Sequence, residues 1–170
     1  NPDPATGWIE RDRMFKLPRS SWQDYDKSKI SKGGGIFPRS AKSIELSPEI
    51  KAVLDIQDDV VDPATLMKAI LLAPAELLYF GGIGTYVKAQ TETNADVGDK
   101  ANDPVRVNGN ALRCRVVGEG GNLGFTQRGR IEAGAGLPVA TQARHQFSHR
   151  PRALVRQPPN LGRRVGQFPG

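Results

Sequence analysis

Arg113-Cys114-Arg115-Val116-Val117-Gly118-Glu119-Gly120-Gly121-Asn122-Leu123-Gly124 is the stretch on which the fold turns. Its apolar pair, Val116 and Val117, runs straight into a turn holding Gly118, Gly120, Gly121 and Gly124, with Asn122 among them. A helix is predicted from about Thr126. Strand, glycine turn and helix, in that order, is how α/β proteins bring backbone N–H groups close to a nucleotide. Glycine serves there because a Cβ blocks both positive φ angles and close approach.

Outward from that stretch, the strand is predicted to begin at Leu112 and run to Val117. A second short, buried strand is predicted within Glu76–Phe80, running into Gly81-Gly82-Ile83-Gly84. Two apolar strands that each end in glycines, with helices before or after them, predict half of a parallel α/β sheet. Ligand groups are then expected at the carboxyl ends of the strands. Adjacent parallel strands would place both glycine clusters on one edge. The second turn departs from G-x-G-x-x-G, because Leu123 stands at the last position. Glu119 is a poor neighbour for a phosphate, so the ribose or nicotinamide end of a dinucleotide fits this turn better than the pyrophosphate.

The remaining elements follow from caps and breakers. Asp3-Pro4 reads as a helix cap followed by proline at the first helical position, predicting a helix to about Phe15. Its expected buried face is Trp8, Ile9 and Met14 or Phe15. Ser47-Pro48-Glu49 starts a second helix, to about Leu54, and Asp62-Pro63 a third, ended by Ala73-Pro74. Leu66, Met67, Ile70 and Leu71 have helical spacing in the third. Thr91–Asn110 is polar and predicted as loop, with a turn at Asn108-Gly109.

The net charge of +6 comes entirely from the end of the chain. Residues 1–132 carry 18 basic and 18 acidic side chains. Every acidic residue lies at or before Glu132, and the last lysine is Lys100. After Glu132 come six arginines, both histidines and five of the 13 prolines. The break predicts a boundary, with residues 133–170 an Arg/Pro/Gly-rich, disordered basic tail. The single cysteine, Cys114, cannot form an internal disulfide and predicts a reduced, intracellular setting. No apolar run approaches the roughly 18 residues of a membrane-spanning helix, and no signal-peptide pattern is present. An N-terminus without Met predicts a piece of a longer polypeptide.

Four other clusters have bland readings. Lys32-Gly33-Gly34-Gly35 lacks the order of a phosphate-binding loop and reads as a connector. Asp55, Asp58, Asp59 and Asp62 lack the alternation of a calcium loop and read as a solvated loop carrying a helix cap. His145 and His149 sit among arginines and prolines and do not read as metal ligands. Cys114 reads as a small buried hydrophobe in a strand, not as a nucleophile.

Several ordered motifs resemble the large bacterial NAD-specific glutamate dehydrogenases. They include Leu17-Pro18-Arg19-Ser20-Ser21-Trp22, Ile30-Ser31-Lys32-Gly33-Gly34-Gly35-Ile36-Phe37, Gly81-Gly82-Ile83-Gly84-Thr85-Tyr86-Val87-Lys88 and Val116-Val117-Gly118-Glu119-Gly120-Gly121-Asn122-Leu123-Gly124-Phe125-Thr126-Gln127. The resemblance covers roughly residues 1–132. It implies the later part of a Rossmann-like NAD-binding domain from a long, cytoplasmic, oligomeric enzyme. That enzyme deaminates L-glutamate to 2-oxoglutarate and ammonium. Glu119-Gly120-Gly121-Asn122 looks like the Glu-Gly-Ala-Asn motif of the smaller glutamate dehydrogenases, with Gly121 in place of Ala. The implied cofactor-binding residues are Gly81, Gly82, Gly118, Glu119, Gly120, Gly121 and Asn122, with Asn122 nearest the nicotinamide ribose. The pyrophosphate loop and the catalytic Lys and Asp of the family have no match here, so the resemblance assigns no catalytic residue and no metal. It implies a fragment inactive alone. The alternative is a small non-enzymatic protein whose basic tail binds nucleic acid. The balanced body and the scarcity of tail aromatics, Phe147 and Phe168, argue against it.

Overall fold

The computed structural model describes residues 3–121 and 123–136. Asn122 and residues 137–170, with His145 and His149, lie outside the described residues. What is described is a mixture of short helices and three two-stranded sheets, two of them parallel, an α/β arrangement.

Helix α1 (Pro4–Lys16) starts as expected: the Asp3 carboxylate accepts from the amides of Ala5 and Thr6, and Pro4 follows the cap. Its packing agrees with the expected face at Met14 and departs from it elsewhere. Gly7, Glu10 and Met14 are buried, whereas Trp8 is 70% and Phe15 89% exposed, with Ile9 also outside. The cause is Glu10. Its carboxylate accepts from Arg13 at 2.9 and 2.5 Å, from the Asp26 amide at 2.7 Å and from Lys29 at 3.1 Å. Two of these hydrogen bonds, from the Asp26 amide and from Lys29, fix that side of α1 to residues 26–29, while the Arg13 pair braces it within the helix. Trp8, Ile9 and Phe15 are thereby turned outward. Arg13 first, then the Asp26 amide and Lys29, hold the Glu10 carboxyl far below the usual carboxylate range, against the opposing effect of burial.

A small core forms next. Strand β1 (Ile44–Glu45) pairs antiparallel with β2 (Val60–Val61), Ile44 facing Val61. Helix α2 (Pro48–Leu54) lies between them, capped by Ser47, whose hydroxyl accepts from the Ile50 amide at 3.1 Å. Helix α3 (Pro63–Leu71) is capped by Asp62. Ile44, Leu46, Val61 and Leu66 close this cluster. The acidic loop before α3 is engaged by ion pairs: Asp59 with nearby Lys51 at 2.5 Å, and Asp55 with the distant Arg113 at 3.0 Å. In the glycine connector, Lys32 pairs with Glu49 at 3.5 Å.

The main core gathers around β3 (Leu77–Phe80), which pairs in parallel with β6 (Val116–Glu119). Beside them, β4 (Val87–Lys88) pairs in parallel with β5 (Val107–Asn108). Phe80, Val87, Val107, Leu112, Cys114, Phe125 and Ala133 pack together. The Phe80 and Phe125 rings meet edge to face, 5.3 Å apart. Helix α5 (Gln127–Gly136) begins where a helix was predicted and puts Ala133 into this core, across the composition break at Glu132.

Other expectations need correction. The β6 strand does not begin at Leu112. Its partner β3 begins only at Leu77, opposite Val116, so residues 112–115 have no neighbouring strand. The same pairing carries β6 through Gly118 and Glu119, which are strand rather than turn. Cys114 accordingly precedes the strand; it is 1% exposed, and burial pushes its thiol pKa up. Strand β3 is not buried throughout, since Phe80 faces the core while Leu77 and Tyr79, on the alternate face, are exposed. Finally, residues 91–110 are not a plain loop. They hold α4 (Asn94–Val97), a 3-10 segment at Lys100–Val105, and β5. Thr93 and Asp96 form a reciprocal capping box that starts α4, and Gly98 in the left-handed region stops it.

Candidate functional site

The parallel pairing of β3 and β6 delivers two glycine turns to one end of the sheet. Tyr79 lies opposite Gly118 and Phe80 opposite Glu119, so the chain leaves both strands side by side at Gly81 and Gly120. The second turn then folds onto the first. The N–H groups of Gly120 and Gly121 both donate to the Phe80 carbonyl at 2.9 Å. A Cβ added to Gly121 would overlap the Gly82 carbonyl oxygen and stand 2.9 Å from the Gly82 carbonyl carbon and amide nitrogen. No side chain fits between these backbones. That explains the glycine at position 121.

The edge has a defined lining. On one face the Tyr79 ring covers Gly118 and Gly120; a Cβ at 118 would come 2.8 Å from the ring, and one at 120 would collide with the hydroxyl. On the other face the Glu119 side chain, 17% exposed, pairs with Arg130 at 2.5 Å and accepts from the Phe125 amide at 3.2 Å. Glu119 thus closes the turn it begins and anchors it to α5. The amides of Gly120 and Gly121 are thus engaged by Phe80 and the Glu119 carboxylate by Arg130, so neither amide is available to a phosphate. Gly81 and Gly82 sit on the open side, with nothing within 4 Å of a Cβ at 82. Of the residues implied by resemblance, Gly81, Gly82, Gly118, Glu119, Gly120 and Gly121 are brought together. Asn122 lies outside the described residues.

Leu123 follows with φ of +50°. A left-handed backbone costs a branched residue roughly 1–2 kcal/mol, so it persists only where surrounding contacts enforce it. The enforcing contacts come from residues 85–87. Thr85 Oγ1–H donates to the Leu123 carbonyl at 2.9 Å, and the amides of Tyr86 and Val87 donate to the Gly124 carbonyl at 2.9 and 3.0 Å.

Behind Thr85 stands a group the sequence did not single out. Arg106 is buried, its guanidinium inaccessible. Its Nε–H donates to the Thr85 carbonyl at 2.9 Å, Nη1 to Asn94 at 3.0 Å and to Asp103, and Nη2 to the Asp99 carbonyl at 2.5 Å. Asp99 accepts from the Thr85 amide at 2.8 Å and from Asn102 at 2.7 Å. The Thr85 amide first, then Asn102 and Arg106, hold the Asp99 carboxyl below its usual range. A fully buried guanidinium persists only with its donors satisfied, and here they join α4, the 3-10 segment and the first glycine turn. The one available signal was the Thr93 capping box, which marks 93–98 as ordered.

Comparison with known proteins places this edge in a family. Residues 1–145 match the model of the bacterial NAD-glutamate dehydrogenase catalytic domain. The NAD-specific glutamate dehydrogenase of Pseudomonas aeruginosa is 63% identical over 134 residues, covering 79% of this chain and 8% of the relative. That of Halomonas elongata is 58% identical over 141 residues, covering 82% and 9%. That of Mycobacterium tuberculosis is 58% identical over 138 residues, covering 78% and 8%. The chain therefore spans less than a tenth of the length of these curated relatives. With a family match over most of its length, the chain belongs to the bacterial NAD-glutamate dehydrogenases, as a segment of their catalytic domain.

Proposed function

We propose that this chain supplies the nicotinamide-side wall of the cofactor crevice in an NAD-dependent glutamate dehydrogenase. The observation that carries the reading is the meeting of the two glycine turns, Gly82 against Gly121, at the carboxyl ends of adjacent parallel strands. In open α/β sheets that is where ligands bind. The parallel strands support a Rossmann-like sheet, of which this chain holds a part. The unit that builds this wall runs past the composition break at Glu132, since α5 continues to Gly136 and Ala133 packs in the core.

The residues fit one end of NAD and not the other. Gly81, Gly82, Gly118, Gly120 and Gly121 offer side-chain-free surface to a ribose or a nicotinamide ring, and Glu119 shapes the turn. Asn122, immediately after the close contact, holds the ribose hydroxyls or the carboxamide with its side-chain amide. The engaged amides of Gly120 and Gly121 give the pyrophosphate no purchase. Acceptance of a hydride from the glutamate Cα is the chemistry the cofactor supplies. The work of these residues is to orient the nicotinamide half and exclude side chains from its face. The resulting imine is hydrolysed to 2-oxoglutarate and ammonium in the whole enzyme, a cytoplasmic homo-oligomer. Among the described residues, no helix is long and apolar enough to cross a membrane.

The purified chain should give no glutamate-dependent NADH signal, because the substrate-binding groups lie elsewhere. It should bind NAD weakly, and Asn122→Ala should weaken that binding further. A cooperative melt without NAD binding, or binding unchanged by Asn122→Ala, would refute the assignment of this wall.

A further inference from the structure

We propose that Thr85 is a positioning residue that clamps the second glycine turn in its ligand-facing conformation, with Arg106 and Asp99 fixing Thr85 from behind. The inference rests on the reading that the 118–124 turn faces the nicotinamide half of NAD. Every polar group of Thr85 is used: its amide by Asp99, its carbonyl by Arg106, and its hydroxyl by the Leu123 carbonyl. The residue at the end of this chain of contacts is the one with the costly left-handed backbone, at φ +50°. The residue just before it, Asn122, is the proposed cofactor contact. The clamp therefore acts on the backbone of the turn, at Leu123.

The arrangement separates anchoring from positioning. Arg106 is buried and tied to α4 and to the 3-10 segment. Thr85 lies near the surface, and its hydroxyl crosses the gap between the two turns. Removing that hydroxyl leaves the Phe80 carbonyl contacts and the hydrophobic core in place. It frees Leu123 to relax to a negative φ, which would rotate the peptide that follows Asn122. Thr85 thus sets how well the turn is preorganised, and preorganisation contributes to affinity by lowering the ordering cost on binding.

The test compares Thr85→Val, which keeps the β-branched shape without the hydroxyl, and Thr85→Ser, which keeps the hydroxyl. Amide hydrogen exchange of residues 116–126 is read together with NAD affinity observed on the ligand by NMR. Exchange at Ile44–Leu66 serves as the control for global folding. One hydrogen bond lost corresponds to roughly a two- to tenfold change. Thr85→Val should speed exchange of the Phe125 amide, which donates to Glu119 just beyond Leu123, and weaken NAD by that factor, leave Ile44–Leu66 unchanged, and be rescued in both respects by Thr85→Ser. Unchanged exchange in Thr85→Val overturns the clamp, whether or not NAD binds. Faster exchange with unchanged NAD affinity overturns the positioning role and leaves a structural bond only. Faster exchange with Ser rescue, in a wild-type chain that binds no NAD, supports the clamp and refutes the proposed function instead.

Discussion

Alanine at Gly121 and alanine at Gly82 should have opposite effects, although the two glycines touch. Neither has a positive φ, so neither substitution is opposed by backbone strain. At 121 the new Cβ would overlap the Gly82 carbonyl oxygen and sit 2.9 Å from two more backbone atoms. Backbone cannot rotate aside as a side chain can, so the turns must separate, stretching the Gly120 and Gly121 hydrogen bonds to Phe80. Overpacking of this kind costs about 1–3 kcal/mol. At 82 the Cβ meets nothing within 4 Å. The loss of unfolded-chain entropy there should be neutral or stabilise by roughly 0.4–1 kcal/mol. With a urea m-value of about 2 kcal/mol/M, Gly121→Ala should lower the unfolding midpoint by roughly 0.5–1.5 M, and Gly82→Ala should leave it level or raise it slightly. Equilibrium urea unfolding followed by circular dichroism reads both. A wild-type midpoint for Gly121→Ala, or an equal drop for Gly82→Ala, would refute the close approach of the turns.

Arg106→Met should destabilise by about 2–4 kcal/mol, because it strands the carbonyls of Thr85 and Asp99 and the carboxylate of Asp103; partial exposure of the two aspartates moderates the cost. Arg106→Lys should not rescue the thermal melt, since an ammonium cannot reproduce the guanidinium fork. For Glu10, the folded-state pKa lies below its ordinary value of 4.5, so its stabilising contribution is present above that value and is lost as pH falls through the depressed one. Glu10→Gln should therefore melt lower than wild type at pH 7, with the gap narrowing below pH 4.5; a gap constant across the acid range would contradict the network. Cys114 should resist a thiol-reactive disulfide reagent in the native protein and react at once in urea, given its burial and raised pKa.

The parts of the fold legible in the sequence were those written in local chemistry. Asp3-Pro4, Ser47-Pro48 and Asp62-Pro63 each start a helix where their cap and proline place it. The adjacency of β3 and β6 followed from two apolar strands with matching glycine ends. What escaped depended on contacts distant in sequence. The inward side of α1 is chosen by Lys29 and the Asp26 amide acting on Glu10, and nothing in the apolar pattern of α1 encodes those partners. The start of β6 is set by where β3 begins, not by its own apolar residues. Arg106 reads in sequence as one more charge in a polar stretch, yet it is buried because Thr85, Asn94, Asp99 and Asp103 surround it in space.

The central claim is that the paired glycine turns face the nicotinamide half of NAD and not its phosphate-rich adenosine half. Titration of the chain with nicotinamide mononucleotide and, separately, with adenosine monophosphate, observed by saturation transfer to the ligand, tests it most directly. The nicotinamide and adjacent ribose protons should be saturated, with the effect lost in Asn122→Ala and reduced in Gly121→Ala, and with little transfer to adenosine monophosphate. Adenosine monophosphate binding as well as or better than nicotinamide mononucleotide would contradict it.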